Sequence, residues 1–342
     1  MSLHPLRLAL AFASVLACAT AGAAGMDRAH YIRLSASVLK IEVTREQGGY
    51  SLGSGVVVAD ERVVTNCHVT RQARSIAVIK HGARWPAQAQ AVDAKHDLCV
   101  LHVAGIRGDV VPLGRTDALR IGQNVTAVGY TGGTGLQGSA GQIVALHRFG
   151  GARVIQSTNW FSSGASGGGL FDEQQRLVGV LTFRMRGGEA HYFAAPVEWI
   201  QRQLADSTRY LPVEPLRDAE LPYWQLPTEA QPEFLQAATL GRGGQWRELQ
   251  ALAARWTRAE AGDPQAWFAL GTADESLEQL PQAAAAYERA VSLDPAFAGG
   301  WLRLGLLAAR LGRTDRAREA FQALEALGAD GAAQLSERIG SK

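Results

Sequence analysis

The sequence predicts an all-β domain followed by an all-α repeat domain, and three observations carry that prediction. Between Val38 and Ala195, short apolar runs alternate with turns about every 8–12 residues, the rhythm of a barrel or sandwich. Beyond residue 230 the apolar period becomes helical, and a pattern of residue types recurs after 34 positions. Between these regions Pro212, Pro215, Pro222 and Pro227 crowd residues 206–229, which read as a linker with Tyr223 and Trp224 set to dock on something.

The chain has 342 residues, 47% of them hydrophobic and 19% charged, which is ordinary globular composition and enough length for two or more domains. A net charge of +2, with no stripe of Lys and Arg interleaved with aromatics, argues against nucleic acid as a partner. Residues 1–25 place Arg7 before an apolar run from Leu8 to Ala19, then small residues with A-x-A patterns, as a cleaved export signal does. An exported protein, periplasmic or secreted, is expected. Lipoprotein processing at Cys18 is the alternative, since Val15-Leu16-Ala17-Cys18 loosely resembles a lipobox. No later stretch approaches the roughly 18 apolar residues of a membrane span, so no transmembrane segment is expected.

Taken in order, Val38, Leu39, Ile41 and Val43 run into a Glu46-Gln47-Gly48-Gly49 turn and return through Leu52 to Val58, a hairpin. Val63 to Val69 is an apolar strand ending on His68; Ile76 to Ile79 is another, and Ala87 to Val92 a weak one. Asp97 then opens the apolar run Leu98 to Val103, where an acid can be held partly buried; Asp93 is the other candidate, without such a strand to anchor it. Val110 to Leu113, Gly122 to Tyr130, Gly141 to Leu146, Leu177 to Phe183 and His191 to Ala195 continue the strand pattern, with a glycine-rich loop from Thr131 to Gly138. Pro196 to Ala205 reads as a closing helix with Val197, Ile200 and Leu204 on one face.

Within this frame Gly164-Ala165-Ser166-Gly167-Gly168-Gly169-Leu170 reads as a nucleophile loop before a short strand. A serine hydroxyl that reacts needs a base for its proton and donors for the oxyanion that forms. Gly164, lacking a Cβ, can turn its N–H inward beside that of Ser166, and Gly167 and Gly168 leave room for a peptide. A flexible turn is the other reading of such a string. His68 and Asp97 decide between them.

The blocks Thr65-Asn66-Cys67-His68-Val69, Asp97-Leu98-Cys99-Val100-Leu101 and Gly164 to Leu170 resemble the three signatures of chymotrypsin-fold (trypsin-like) serine proteases, in that family's order. The compact spacing and the T-N-x-H-V block are most similar to the bacterial Deg/HtrA-type branch, and the resemblance covers about residues 35–205. It implies a double β-barrel (chymotrypsin-like) with the site in the cleft between barrels, His68 as base, Asp97 as its orienting acid, Ser166 as nucleophile and an oxyanion hole from the N–H groups of Gly164 and Ser166. It further implies that Thr182, Phe183 and Arg184 form the edge strand that pairs with an extended substrate. Two departures matter. Ala165 stands where proteases activated by cleavage carry an aspartate, and Trp160 stands where trypsins place their specificity acid. Small or apolar side chains at the cleaved bond are therefore expected; Arg184 and Arg186 leave a preference for acids open.

After signal removal only Cys67 and Cys99 remain, each close in sequence to a catalytic candidate, so a Cys67–Cys99 disulfide is expected if His68 and Asp97 meet, two buried thiols being the alternative. In the C-terminal third, Trp267, Leu270, Gly271, Ala283, Tyr287 and Ala290 are matched by Trp301, Leu304, Gly305, Ala317, Phe321 and Leu324. That pattern looks like tetratricopeptide repeats, confident over 264–297 and 298–331, degenerate over 230–263, with 332–342 as a cap. The expected organisation is thus a signal at 1–25, a protease domain at 26–205, a linker at 206–229 and a repeat domain at 230–342. The resemblance implies a serine endopeptidase acting on protein or peptide substrates, with a protein partner at the repeats. No metal or organic cofactor is expected, and no histidines show H-E-x-x-H spacing. The alternative is a latent or non-catalytic peptide-binding scaffold.

Overall fold

The computed structural model describes residues 28–132, 135–185, 192–206, 209–329 and 331–340; the segment expected to be an export signal, with Cys18, and also Arg186 and His191, lie outside the described residues. After helix α1 (Arg28–Ser35), strand β1 (Val38–Arg45) buries Val38, Leu39, Ile41 and Val43 and pairs antiparallel with β2 (Tyr50–Ala59). The turn between them puts Gly48 and Gly49 at φ of 88° and 79°, where a side chain would be strained. Strands β3 (Arg62–Thr65), β4 (Ala73–Lys80), β5 (Ala83–Pro86), β6 (Ala89–Asp93) and β7 (Leu98–His102) complete the first half. With β14 (Leu211–Pro212) they form one eight-stranded antiparallel sheet in the order β14-β6-β7-β3-β2-β1-β4-β5. Its core is aliphatic, from Leu39, Ile41 and Val57 to Val78 and Leu101.

The apolar run from Val63 does not continue as a strand to Val69. The β3–β7 ladder stops at Thr65↔Cys99, and Cys67–Thr70 form the short helix α2 that carries His68. Asn66 makes the turn: its side-chain amide donates to the Asp97 carbonyl at 3.0 Å and to Thr182 Oγ1 at 3.2 Å, while Cys67 N–H donates to the Asp97 carbonyl at 3.2 Å. These contacts lie 31 and 116 residues away in sequence, so local pattern cannot report them.

In the second half β8 (Asn124–Thr131), β9 (Gly135–Phe149), β10 (Ala152–Ser157), β11 (Gly169–Phe171), β12 (Leu177–Arg184) and β13 (Tyr192–Pro196) close into a barrel in the order β10-β13-β12-β11-β8-β9. Val125, Ile143, Ile155, Leu170 and Leu181 fill it. Val110 to Leu113 adds only an isolated bridge, Leu113↔Leu177. Pro112 lacks the N–H a strand would need there and offers its carbonyl to Leu177 N–H at 2.8 Å instead. Helix α3 (Val197–Leu204) seals the barrel with Val197, Trp199 and Ile200 buried.

Residues 209–227 lie along the first sheet. Leu211 and Pro212 pair with β6, the Arg71 guanidinium donates to the carbonyls of Ala219 and Glu220, and Tyr223 N–H donates to the Lys95 carbonyl at 3.0 Å. Helices α4 (Glu233–Arg242) and α5 (Trp246–Ala259) then precede two helix pairs, α6 (Pro264–Ser276) with α7 (Leu280–Leu293) and α8 (Ala298–Arg310) with α9 (Thr314–Ala326), followed by α10 (Gly331–Gly340). Repeat packing works by small against large: a Cβ on Gly271 would sit 2.7 Å from the Tyr287 ring. One apolar cluster runs from Val38 and Val56 of the first sheet through Phe171 of the barrel to Tyr223, Phe234 and Trp256, so the helical array and the β region share a core.

His147 of β9 lies in that shared core, stacked on Phe234 at 4.3 Å and 12° and hydrogen-bonded through Nε2 to Gln156 Oε1 at 2.9 Å. Burial pushes its imidazole down to about 4, against the opposing Gln156 bond. Below its ordinary value of 6.5 the unfolded chain takes a proton that the native one refuses, so the stability held by neutral His147 is full above that pH and is lost toward pH 4. Burial instead raises Asp263, at the start of α6, to about 6, which adds stability as pH falls through 6 and opposes the histidine. His147→Phe, which keeps a ring on Phe234, is expected to remove an acid-dependent loss of about 2–3 kcal/mol between pH 6.5 and 4.5. Denaturant midpoints of both proteins at the two pH values check this; parallel shifts would refute it.

Candidate active site

Asp97 occupies the turn before β7 at φ 59°, a conformation that aspartate tolerates better than most residues. That backbone turns its carboxylate, 1% exposed, toward α2. His68 N–H donates to Oδ1 at 2.8 Å, and His68 Nδ1 lies 2.6 Å from Oδ2, which sets the imidazole with Nε2 outward. Asp93 is committed elsewhere: Nδ1 of His96 lies 2.8 Å from it, and although burial raises the Asp93 carboxyl, its bonds to His96 outweigh that and hold it below the usual range. The disulfide joins Cys67 and Cys99 with Cα atoms 4.9 Å apart, tying α2 to β7 beside the His68–Asp97 pair.

Ser166 lies in the loop before β11. Gly164 has φ 97°, and a Cβ there would lie 2.6 Å from the Tyr130 carbonyl oxygen; a Cβ on Gly167 would lie 2.0 Å from the Ser54 carbonyl oxygen. Only glycine fits either place. Ala165 N–H donates to the Ser162 carbonyl at 3.0 Å, whereas the N–H groups of Gly164 and Ser166 on either side have no protein acceptor among the described residues. Two half-exposed donors two residues apart are thus left for a ligand. Ser166 Oγ donates to the Thr182 carbonyl at 3.5 Å, and Thr182 Oγ1 accepts from Asn66, so β12 joins the serine loop to the histidine helix.

Ser54, which the sequence patterns did not single out, holds this loop in place. Its N–H donates to the Ser166 carbonyl and its hydroxyl to the Gly164 carbonyl, both at 2.8 Å, while the hydroxyl accepts from Tyr130 N–H at 2.8 Å. A small hydroxyl between two glycines gives no periodic signal. Trp224 is the other missed neighbour: its indole N–H donates to Asp97 Oδ2 at 3.1 Å.

Of the residues expected to meet substrate, Phe183 and Arg184 pair on one edge with Phe193 and Tyr192, and no described strand pairs their other edge. Thr182 falls in the register shift between Leu181 and Phe183 and is buried. The Phe183 ring, also buried, lies beneath Trp224. Trp160 is 52% exposed and lines, with Phe161, Ala165 and Leu181, a cavity of about 20 Å³; it forms a rim rather than the floor of a deep pocket. Among the described residues no group of three or more His, Cys, Asp or Glu could hold a metal ion.

Comparison with known proteins bears directly on this geometry. The trypsin-like peptidase domain family matches residues 53–180, from the Ser54 strand to beyond the serine loop. The chain carries a trypsin-like peptidase domain. Tetratricopeptide repeats match at 264–297 and 298–327. The peptidase domain is similar to a protein of Buchnera aphidicola (subsp. Baizongia pistaciae) named probable periplasmic serine endoprotease DegP-like, at 28% identity over 49% of this chain and 39% of that one. It is also similar to serine protease HTRA4 of Homo sapiens, at 31% identity over 45% of this chain and 34% of that one. The chain thus covers well under two-thirds of the length of these relatives. Among solved structures, the active form of the Rv3671c protease of M. tuberculosis shares the fold, with a TM-score of 0.51 at 21% identity over 56% of this chain and 89% of that one. The architecture is therefore an HtrA-like β-barrel peptidase domain followed by a helical region with tetratricopeptide repeats.

The peptidase domain makes Ser54 testable. Ser54→Ala leaves the Gly164 carbonyl and Tyr130 N–H without their shared hydroxyl, an expected loss of about 1–3 kcal/mol, and frees the Gly164 peptide to rotate. A roughly 10- to 100-fold slower reaction of Ser166 with a fluorophosphonate is expected, read by mass spectrometry on folded protein. An unchanged rate would show that the loop holds its conformation without Ser54.

Proposed function

We propose that this chain is an exported serine endopeptidase that cleaves peptide bonds with Ser166, His68 and Asp97 and recruits protein substrates or partners through its repeats. The observation that carries the proposal is the pair of N–H groups on Gly164 and Ser166, without protein acceptors among the described residues, in the loop of a serine that β12 connects to the His68–Asp97 pair. Ser166 Oγ attacks the scissile carbonyl carbon and its proton passes to His68 Nε2, because Nδ1 is committed to Asp97. The oxyanion sits between the two N–H groups. Imidazolium then protonates the leaving amine, an acyl-enzyme remains on Oγ, and water enters by the same route in reverse. Asp97 holds the tautomer and stabilises the imidazolium.

Substrate backbone is proposed to pair along the open edge at Phe183 and Arg184. The small cavity between Trp160, Ala165 and Leu181 favours a small side chain at the cleaved bond. Export is supported by the periplasmic name of a relative and by the disulfide, which persists in an oxidising compartment. No helix among the described residues is long and apolar enough to cross a membrane.

A second reading, a latent enzyme or peptide-binding scaffold, is favoured by one observation: Ser166 Oγ is bonded to the Thr182 carbonyl rather than to His68. Such bonds often tighten only once substrate is bound. Labelling with a fluorophosphonate separates the readings. Wild type is expected to react at Ser166, and both Ser166→Ala and His68→Ala to lose labelling, with ester hydrolysis falling by about 10⁴-fold or more. A folded wild type that does not react would favour the latent reading.

A further inference from the structure

The Asp97 carboxylate is buried, and His68 supplies two of its donors, through N–H and Nδ1. A buried carboxylate is tolerated only when its lone pairs are met by donors. The neighbouring hydroxyl on β12 does not meet them, since Thr182 Oγ1 donates to the Val180 carbonyl at 2.8 Å. The third donor comes from outside both barrel halves. Trp224 Nε1–H reaches Oδ2 at 3.1 Å, the same oxygen that faces His68 Nδ1.

Trp224, half-buried, is held by contacts with its indole and on both sides along the chain. Its indole stacks on Phe183 at 5.0 Å and 8°, and the His68 ring stands edge-on to it at 5.6 Å and 85°. Next to it Tyr223 is buried against Phe149, with its N–H on the Lys95 carbonyl. On the other side Gln231, just before α4, donates from its side-chain amide to the Trp224 carbonyl at 3.2 Å and the Leu226 carbonyl at 2.8 Å. The indole leaves Asp97 only by giving up its stack on Phe183, and these backbone bonds keep its own segment docked beside the site.

We infer that Trp224 is a positioning residue for catalysis: by bonding Oδ2, the oxygen that faces His68 Nδ1, from beside the His68 ring, it fixes the carboxylate that holds the imidazole in register. The inference rests on the serine endopeptidase reading. It makes the segment after the barrel part of the catalytic machinery rather than a spacer, because the carboxylate is fully satisfied only when that segment is docked.

The test uses full-length protein with Trp224→Phe, which keeps a ring on Phe183 and loses the donor, and with benzothienylalanine at position 224, which keeps the indole shape and lacks only the N–H. For both, kcat on a small chromogenic ester is expected to fall about 10- to 100-fold with KM unchanged. The downfield proton resonance of His68 Nδ1–H is expected to move. A merely structural role would lower the melting temperature and leave kcat per folded molecule and the resonance as in wild type, which overturns the inference. A rise in kcat would overturn it too, showing that the indole caps the site. Fluorophosphonate labelling of wild type reports separately on the endopeptidase reading; were wild type inert, the resonance alone would decide, a shift supporting the inference and an unmoved signal refuting it.

Discussion

Burying one carboxylate constrains much of this molecule. Asp97 sits 1% exposed in a left-handed turn, and a charge so placed is tolerable only if donors surround it. Those donors come from distant parts of the chain: His68 from the helix after β3, and Trp224 from the segment beyond the barrel. The Asp97 backbone carbonyl draws in Asn66 and Cys67 as well. Thus β3 must end at Thr65, α2 must begin at Cys67, and the disulfide to Cys99 closes the same corner covalently. The geometry that orients the proposed base, His68, is the geometry that satisfies the aspartate.

The serine loop meets a different constraint, that of leaving donors unsatisfied on purpose. Unpaired N–H groups are costly when buried, so the loop keeps Gly164 and Ser166 half-exposed and ties down their neighbours. Ala165, Gly167 and Gly168 all donate to backbone carbonyls, and Ser54 reaches across from the first sheet to hold the carbonyls of Gly164 and Ser166. The two halves of the peptidase domain are therefore stitched at the proposed oxyanion site. The proposed oxyanion hole thus rests on neighbours that are themselves bonded, and donors stabilise a developing oxyanion best when they are held in place in advance.

What could be read in the sequence divides along the same line. Strand alternation placed Asp97 and Ser166 next to apolar strands, and the 34-residue repeat with Gly271 opposite Tyr287 announced the helix pairs. Those signals are local or periodic. His68 was expected on a strand end and lies in a short helix, because the bonds that turn the chain at Asn66 come from Asp97 and Thr182. Ser54 carries no pattern at all, and Trp224 reads as an aromatic among prolines set to dock on something, whose target, Asp97, only the fold reveals. Residues whose role is to position other residues are set by tertiary contacts, which periodicity does not record.

The helical array follows from the same logic. Two full repeats and a degenerate one are close to the least that a solenoid can be built from, and a short array leaves an apolar end that must be covered. Here the β region covers it. Phe234 of α4 stacks on His147, Phe193 lies against both His147 and Phe183, and Trp224 stacks on the far face of Phe183, at the edge of the His68 ring. This line of rings runs from the first helix of the array to the proposed base. Three of its contacts are stacks at 4.3–5.0 Å, and the tilted His147–Phe193 contact at 6.0 Å joins them, so a shift of α4 reaches Phe183 and Trp224 through packed rings. The first helix of the array and the Asp97 corner are therefore physically connected through side chains in contact, and Trp224 is the last link of that line.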